Sequence, residues 1–281
     1  MKIAILSDIH GNLPALQAVA EHIETWRPDR VVVSGDIVNR GPSSAACWDF
    51  IEVRQHSVGW RAMEWRAMYG NHEGYVLAYT RPDFDLSRLT PMSYWTLRQL
   101  NARVARLADL PETLSFSADG WEVRARHASM LGERDGIHQH TPNEQVRQQI
   151  APAPTVFCTG HTHKPFIRQV DNTLVVNAGS VGTPCDDDTC ASYAQVVWHK
   201  GHWQAEIIRV AYDREQTNRD MQTSGFLDTE PFALIIYHEW RTAHDMVIPY
   251  WQQYLARVQA SEMDEAAAVR LFLSQNGLLS S

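Results

Sequence analysis

The sequence predicts an α/β fold followed by a C-terminal helical extension, and three observations carry that prediction. Short Val/Ile-rich runs alternate with helical stretches from Met1 onward, polar residues of metal-ligand type stand where several of those runs end in Gly, Asn, Asp or Ser, and beyond Tyr212 the strand signal gives way to charged helical sequence. The division that follows is a site-bearing domain over 1–212 and a helical extension over 213–281, serving as a cap or an oligomer contact.

The elements follow in order. An apolar run over 2–7, a turn, a helix over 13–25 and a second apolar run over 30–34 make a βαβ unit. Pro42 and Ser43 start a helix that runs toward Gln55. A local duplication, Trp60-Arg61-Ala62-Met63 and Trp65-Arg66-Ala67-Met68, reads as a five-residue insertion before the next strand end. Leu89, Leu97, Leu100, Val104 and Leu107 form the apolar stripe of a helix over 87–108, explained by core packing. After Pro111 come strand candidates at 113–117, 121–127, 155–159, 165–170, 173–177, 192–198 and 202–210, with an antiparallel look. The link His199-Lys200-Gly201-His202 reads as a hairpin turn, which takes its two histidines out of the metal-ligand count. Helices are expected over 232–243, 247–259 and 264–275; packing against the main domain is the first role for them, a lid over the site the second.

A chain of 281 residues with 44% hydrophobic and 21% charged residues has the composition of an ordinary globular protein. Its formal net charge of -8 excludes sequence-independent nucleic-acid binding, which needs a basic surface to displace counterions. Small phosphorylated substrates stay admissible, because divalent ions reverse the sign locally. No charged leader with an apolar core opens the chain and no run approaches a membrane span, so a cytoplasmic protein is expected, with homo-oligomerisation left open. Cys47, Cys158, Cys185 and Cys190 lack zinc spacing and read as buried or incidental thiols, with a redox pair of Cys185 and Cys190 as the alternative.

The chemistry sits in five blocks. Asp8 and His10 are two apart at the end of the first apolar run, so both can reach one ion. Asp36 closes the second run and adds a carboxylate able to bridge two ions. Asn71, between Gly70 and His72-Glu73, offers an amide oxygen to a hard divalent ion. His127 ends the strand candidate before it, and Gly160-His161-Thr162-His163 supplies two imidazoles. Each piece alone has a dull alternative as a helix cap, an Asx turn or a satisfied polar residue. Five blocks together, at strand ends and with mixed hard and imidazole donors, read as a centre for two metal ions. His138 and His140 share the spacing of a ligand pair but follow no comparable strand, and Asp186, Asp187 and Asp188 read as a solvated turn. Mixed Asp, Asn and His ligation without cysteine favours manganese or iron, with nickel, cobalt or zinc also suited.

With these motifs the chain resembles the calcineurin-like metallophosphoesterase superfamily over about residues 1–210. Gly11-Asn12-Leu13-Pro14-Ala15-Leu16 and Asn177-Ala178-Gly179-Ser180-Val181-Gly182 are most similar to its small bacterial phosphodiesterase branch. The resemblance implies a two-sheet β-sandwich flanked by helices, an αββα arrangement. It implies one ion held by Asp8, His10, Asp36 and His163, and a second by Asp36, Asn71, His127 and His161. His72 matches the family's catalytic histidine, and Arg40 resembles the phosphate-contacting arginine of the phosphoprotein phosphatases. Tyr69, where those phosphatases carry an arginine, departs from their pattern. The expected function is a dinuclear metal-dependent phosphoesterase acting on a small phosphoester: a phosphodiesterase on a small nucleotide or related diester, in which two ions clamp the phosphoryl group and supply hydroxide near neutral pH. The alternatives are a phosphomonoesterase, a protein phosphatase or a dinucleoside polyphosphate hydrolase. A non-catalytic metal-binding scaffold ranks below them, because the non-catalytic relative of this fold lacks the histidine that His72 matches.

Overall fold

Strand β1 (Lys2–Leu6) shows how the chain builds its layers. Ile3 and Ile5 point between two sheets while Ala4 and Leu6 point to the helices outside, so the two-residue period of a strand fills two cores at once. The computed structural model describes residues 1–56, 63–85, 90–118 and 120–279. The insertion read at Trp60-Arg61-Ala62 and the stripe residue Leu89 therefore lie outside the described residues.

In chain order the elements are α1 (Leu13–Trp26), β2 (Arg30–Val33), α2 (Ser44–His56), β3 (Glu64–Ala67), α3 (Asn71–Ala78), α4 (Pro91–Leu100), α5 (Val104–Leu107), β4 (Thr113–Ala118), β5 (Trp121–Arg126), α6 (Asn143–Gln149), β6 (Val156–Thr159), β7 (Phe166–Val170), β8 (Thr173–Asn177), β9 (Ala191–His199) and β10 (His202–Val210). The C-terminal part adds α7 (Arg214–Thr223), α8 (Ala233–Thr242), α9 (Val247–Tyr250), a π-helical turn over Trp251–Leu255, α10 (Ala256–Gln259) and α11 (Glu265–Gln275). Asn12 caps α1 by accepting from Ala15 N at 3.3 Å, and Pro14 sits in its first turn, where no backbone donor is needed.

Two mixed five-stranded sheets, ordered β10-β9-β1-β2-β3 and β4-β5-β6-β8-β7, pack face to face as the resemblance implies. Between them lie Ile3, Ile5, Val32 and Val196 from the first sheet against Val123, Ala125, Val156, Cys158 and Val176 from the second. The outer face of the first sheet packs on α1 and α2 through Leu16, Val19, Ile23, Trp48 and Ile51. The outer face of the second packs on α6 through Phe157, Val175, Val146 and Ile150.

The structure corrects two expectations. The strands after Pro111 are not uniformly antiparallel: β5 pairs with β6 and β6 with β8 in parallel, because α6 and then β7 carry the chain back to the starting edge. The helix expected over 87–108 is broken into α4, a 3-10 turn at Asn101–Arg103 and α5, with Asn101 at φ 50° interrupting it. Helices α3 and α6 occupy stretches for which the sequence suggested no element. The β9–β10 hairpin turns at Lys200 and Gly201, both at positive φ (48° and 85°), as a two-residue loop of that twist requires.

Candidate metal centre

Parallel pairing of β1 with β2 and β2 with β3, and of β5 with β6, brings strand carboxyl ends from both sheets to one edge. Asp8 and His10 follow β1, Asp36 follows β2, Asn71 opens α3 shortly after β3, His127 follows β5, and His161 and His163 follow β6. All seven expected ligands thus meet in one place. Asp8, His10, Asp36, His161 and His163 hold left-handed backbone conformations, with φ of 55°, 48°, 54°, 66° and 56°. Asp, Asn and His tolerate that region better than other side chains, and non-glycine residues held there concentrate where function demands it.

The turns are tied to one another. Ile9 N and His10 N both donate to Asp36 O, at 2.8 and 3.0 Å, and Gly160 N donates to His127 O at 2.9 Å. Gly160 is required by close approach, since a Cβ there would lie 2.0 Å from Ser7 Oγ and 2.5 Å from Asp8 Oδ2. Buried Glu73, a motif residue without an assigned role in the sequence reading, accepts four backbone N–H groups: Asp36 (2.9 Å), Ile37 (2.8 Å), Val38 (3.2 Å) and Gly70 (2.9 Å). Its signal in the sequence is a glutamate at the third position of a helix that begins after glycine, where a carboxylate can reach back to the first donors.

Two clusters share the site, Asp8 with His10 and His163, and Asp36 with His127 and His161, and a third group of His10, Asp36 and His72 links them, the ligand atoms within each lying within 4.8 Å of one another. His163 Nε2 stands 3.1 Å from His10 Nε2 and 3.2 Å from Asp8 Oδ1. His127 Nε2 stands 3.2 Å from Asp36 Oδ2 and 2.9 Å from Asn71 Oδ1, which also lies 2.9 Å from His161 Nδ1. The far nitrogens are already engaged: His127 Nδ1 donates to Ser34 O at 2.7 Å and His163 Nδ1 to Thr183 O at 2.5 Å. Those bonds aim each Nε2 at the carboxylates, so that a cation taking the place of the Nε2 proton would meet the orientation of metal-ligating histidines.

Titration in this cluster follows charge against burial. Burial disfavours the imidazolium everywhere, but Asp36 lifts His127 to about 10 and Asp8 raises His163. Burial wins at His10, lowered to about 3, and at His161, lowered to about 4. Asp8 and Asp36, which burial alone would raise, are held low by His163 and His127 respectively. A buried Asp8 Oδ1 with no hydrogen-bond donor, beside the facing Nε2 atoms of His10 and His163, is a set of groups that calls for cations. The residues fit divalent ions.

His72 stands beside this set and stacks edge-on against His10, with ring centroids 4.8 Å apart. Burial keeps it well below its ordinary range despite Asp36. Asn39 decides its tautomer, a role the sequence reading did not identify. Arg40 N donates to Asn39 Oδ1 at 3.0 Å, so Asn39 Nδ2 is the end that faces His72 Nδ1 at 3.0 Å, and the imidazole proton resides on Nε2. Arg40 reaches the same cavity and lies 3.5 Å from Glu239 Oε1 of α8. Glu239 is itself held by Met246 N and Val247 N, both at 2.9 Å. The C-terminal helices therefore both pack and wall the site. They form their own core around Phe226, Ile235, Trp240, Tyr254 and Phe272, joined by Met92 of α4.

The remaining candidates fall elsewhere. His138 and His140 are exposed and outside the clusters, because His127 holds the strand-end position. Asp186 and Asp188 pair with Arg209, and Asp187 pairs with His244 while staying exposed, so the acidic loop is a surface turn held by ion pairs. All four cysteines are free, Cys47, Cys158 and Cys185 buried and Cys190 half-buried. No helix among the described residues is long and apolar enough to cross a membrane.

A family model described as the calcineurin-like phosphoesterase superfamily domain matches residues 1–201. The uncharacterized protein MJ0912 of Methanocaldococcus jannaschii is 27% identical over 227 residues, spanning 75% of this chain and 88% of that one. The hypothetical protein PH1004 of Pyrococcus horikoshii OT3 shares the fold with a TM-score of 0.70 at 20% identity, over 80% of this chain and 94% of that one. A metallophosphoesterase from Sphaerobacter thermophilus superposes with a TM-score of 0.65 at 25% identity, over 86% of this chain and 100% of that one. With its strand-end ligands and the match over most of its length, the chain belongs to the calcineurin-like phosphoesterase superfamily, metal-dependent hydrolases of phosphoric esters.

Proposed function

We propose that the protein is a phosphodiesterase working with two divalent ions, one held by Asp8, His10, Asp36 and His163 and the other by Asp36, Asn71, His127 and His161. The observation that carries this reading is the reach of Asp36: its Oδ2 lies 3.2 Å from His127 Nε2 and 3.7 Å from His10 Nε2, between the two clusters. Ions held there supply Lewis acidity toward phosphoryl oxygens and an acidified water near neutral pH. Manganese or iron suits the donor set.

The chain's own residues do the rest. Through the Asn39 contact, His72 presents an Nε2 proton that can pass to the leaving oxygen. Arg40 orients a phosphoryl oxygen, while Glu239 at 3.5 Å offsets part of its charge. That balance favours the single charge of a diester over the double charge of a monoester, and a small nucleotide or related diester is the substrate proposed. Residues 213–281 act as a cap over this site.

The test is hydrolysis of bis-p-nitrophenyl phosphate beside p-nitrophenyl phosphate, on metal-stripped protein resupplied separately with manganese, iron, nickel and zinc. Metal-restored cleavage favouring the diester is expected, and Asp36→Ala or His127→Ala abolishes it together with bound metal. Preference for the monoester, or full turnover in either variant, refutes the assignment.

A further inference from the structure

A cavity of about 680 Å³ runs on from the metal centre, with Asn71, His72, His161 and His163 in one wall and Phe232, Tyr250 and Trp251 in another. That volume holds a whole small ligand, whereas a phosphoryl group fills only a corner of it. Resting on the phosphodiesterase reading, we propose that this annex seats the substrate's second ester group, and that this group is an aromatic ring that is neutral or carries an amine rather than an anionic or polyphosphate tail.

Ring geometry is the first support. Phe232 and Trp251 stack with centroids 5.8 Å apart and planes 12° from parallel, and Tyr250 lies tilted against Phe232 at 5.5 Å. Ile248, Trp251 and Leu255 are 46%, 42% and 38% exposed, yet all three line the cavity. Their spacing of three and four residues puts them on one helical face, so this apolar stripe looks into the cleft. Such a stripe at the mouth of a polar reaction centre marks a binding surface.

Charge is the second support. Of the basic side chains lining the cavity, Lys164 pairs with Asp245 at 2.9 Å and Arg40 with Glu239 at 3.5 Å, while Arg134, at the wall away from the aromatic rings of the cap, lies over the Tyr75 ring at 4.8 Å. Glu230 and Glu265 line the same cavity, and neither has a basic partner among the described residues. The Tyr250 hydroxyl, on a residue 2% exposed, has no hydrogen-bond partner. Met92 N donates to Glu230 at 3.2 Å, but no cation among the described residues balances either carboxylate, and carboxylates set among aromatic rings attract N–H groups or a cation and disfavour a second phosphate beside them.

The experiment uses four p-nitrophenyl phosphodiesters with the full-length, manganese-supplied protein, the second ester group being methyl, benzyl, 4-(aminomethyl)benzyl or 4-carboxybenzyl. Expected kcat/KM rises by about tenfold or more from methyl to benzyl, rises again with the amine, and falls below benzyl with the carboxylate. In Trp251→Ala the ratio of benzyl to methyl collapses toward one, and Glu230→Gln lowers the ratio of amine to benzyl. Calorimetric binding of benzyl methylphosphonate against methyl methylphosphonate gives a readout free of turnover. Tighter binding of the benzyl compound without hydrolysis of any diester supports the annex and removes the phosphodiesterase reading. Equal binding of the two phosphonates, or methyl and benzyl diesters turned over alike, overturns the proposal.

Discussion

Glu73→Ala is the sharpest perturbation the site offers, because one side chain holds four backbone donors. Its oxygens accept from Asp36, Ile37, Val38 and Gly70 at 2.8 to 3.2 Å, and the residue is fully buried. Each buried donor left without a partner costs about 1–3 kcal/mol; taking about 1.5 for each, because water can enter the space vacated, four amount to about 6 kcal/mol. Against this stands relief of burying the carboxylate, whose pKa burial and Asp36 raise to about 7 from 4.5. At about 1.36 kcal/mol per unit that relief is worth about 3 kcal/mol above neutral pH. The net expectation is a loss of about 3 kcal/mol, a large part of the roughly 5–15 kcal/mol that holds a domain together. Urea denaturation of metal-free wild type and variant at pH 7.5 measures it, with calorimetric manganese titration reading the loosened Asp36 turn as weaker affinity. A loss under about 1 kcal/mol with unchanged metal affinity would show that water or neighbouring carbonyls serve these donors and that Glu73 does not organise the site.

Three further outcomes are expected. Asn39→Asp replaces a donor to His72 Nδ1 by an anionic acceptor 3.0 Å away, which moves the imidazole proton to Nδ1 and raises the pKa of His72; NMR titration of that ring reads the shift, and an unmoved titration refutes the tautomer assignment. Burial, with Glu265 adding to it, lifts Glu230 from 4.5 to about 7, so the folded state holds its proton longer than the unfolded state. Stability from this group is full below the unfolded value of 4.5 and is lost as pH rises through 7, so Glu230→Gln gains at pH 8.5 and not at pH 4.5; discounted for partial exposure, the gain is about 2 kcal/mol, read by urea denaturation at both pH values. Chelation lowers Tm, and an ion resupplied at about 100 times its Kd restores about 2.7 kcal/mol, a gain that His127→Ala removes.

The residues that gather at the candidate centre were legible because they need no knowledge of distant packing. Asp8, Asp36 and His161 stand in short motifs at the ends of apolar runs, and a strand end is a local property. Glu73 and Asn39 were harder, since their roles depend on what the fold lays opposite them: a turn 37 residues away for Glu73 and an imidazole 33 residues away for Asn39. The parallel course of β5, β6 and β8 was hidden for a similar reason. Short apolar runs separated by turn residues look alike whether the chain reverses at once or first crosses over through α6. The helices after Tyr212 were visible from their composition, but their position over Arg40 and His163 was not, because Glu239 reaches Arg40 across 199 residues.

The concentration of left-handed residues gives the centre a mechanical meaning as well as a chemical one. Each non-glycine residue in that region costs roughly 1–2 kcal/mol, and five of the candidate ligands share the strain. They persist because the turns that carry them are cross-braced between the sheets: His161 N donates to Asp8 Oδ2 at 2.9 Å, Gly182 N to Asp8 O at 2.9 Å, and His127 Nδ1 to Ser34 O at 2.7 Å. Each of these bonds joins a turn after one strand to a turn after another, so an opening motion at either sheet edge would have to break several at once. Ions bound to Asp8 with His163 and to Asp36 with His127 would brace the same two sheets a second time. Metal binding is therefore expected to protect the whole sandwich against unfolding rather than one loop, because the candidate ligands stand at the points where the two sheets are tied.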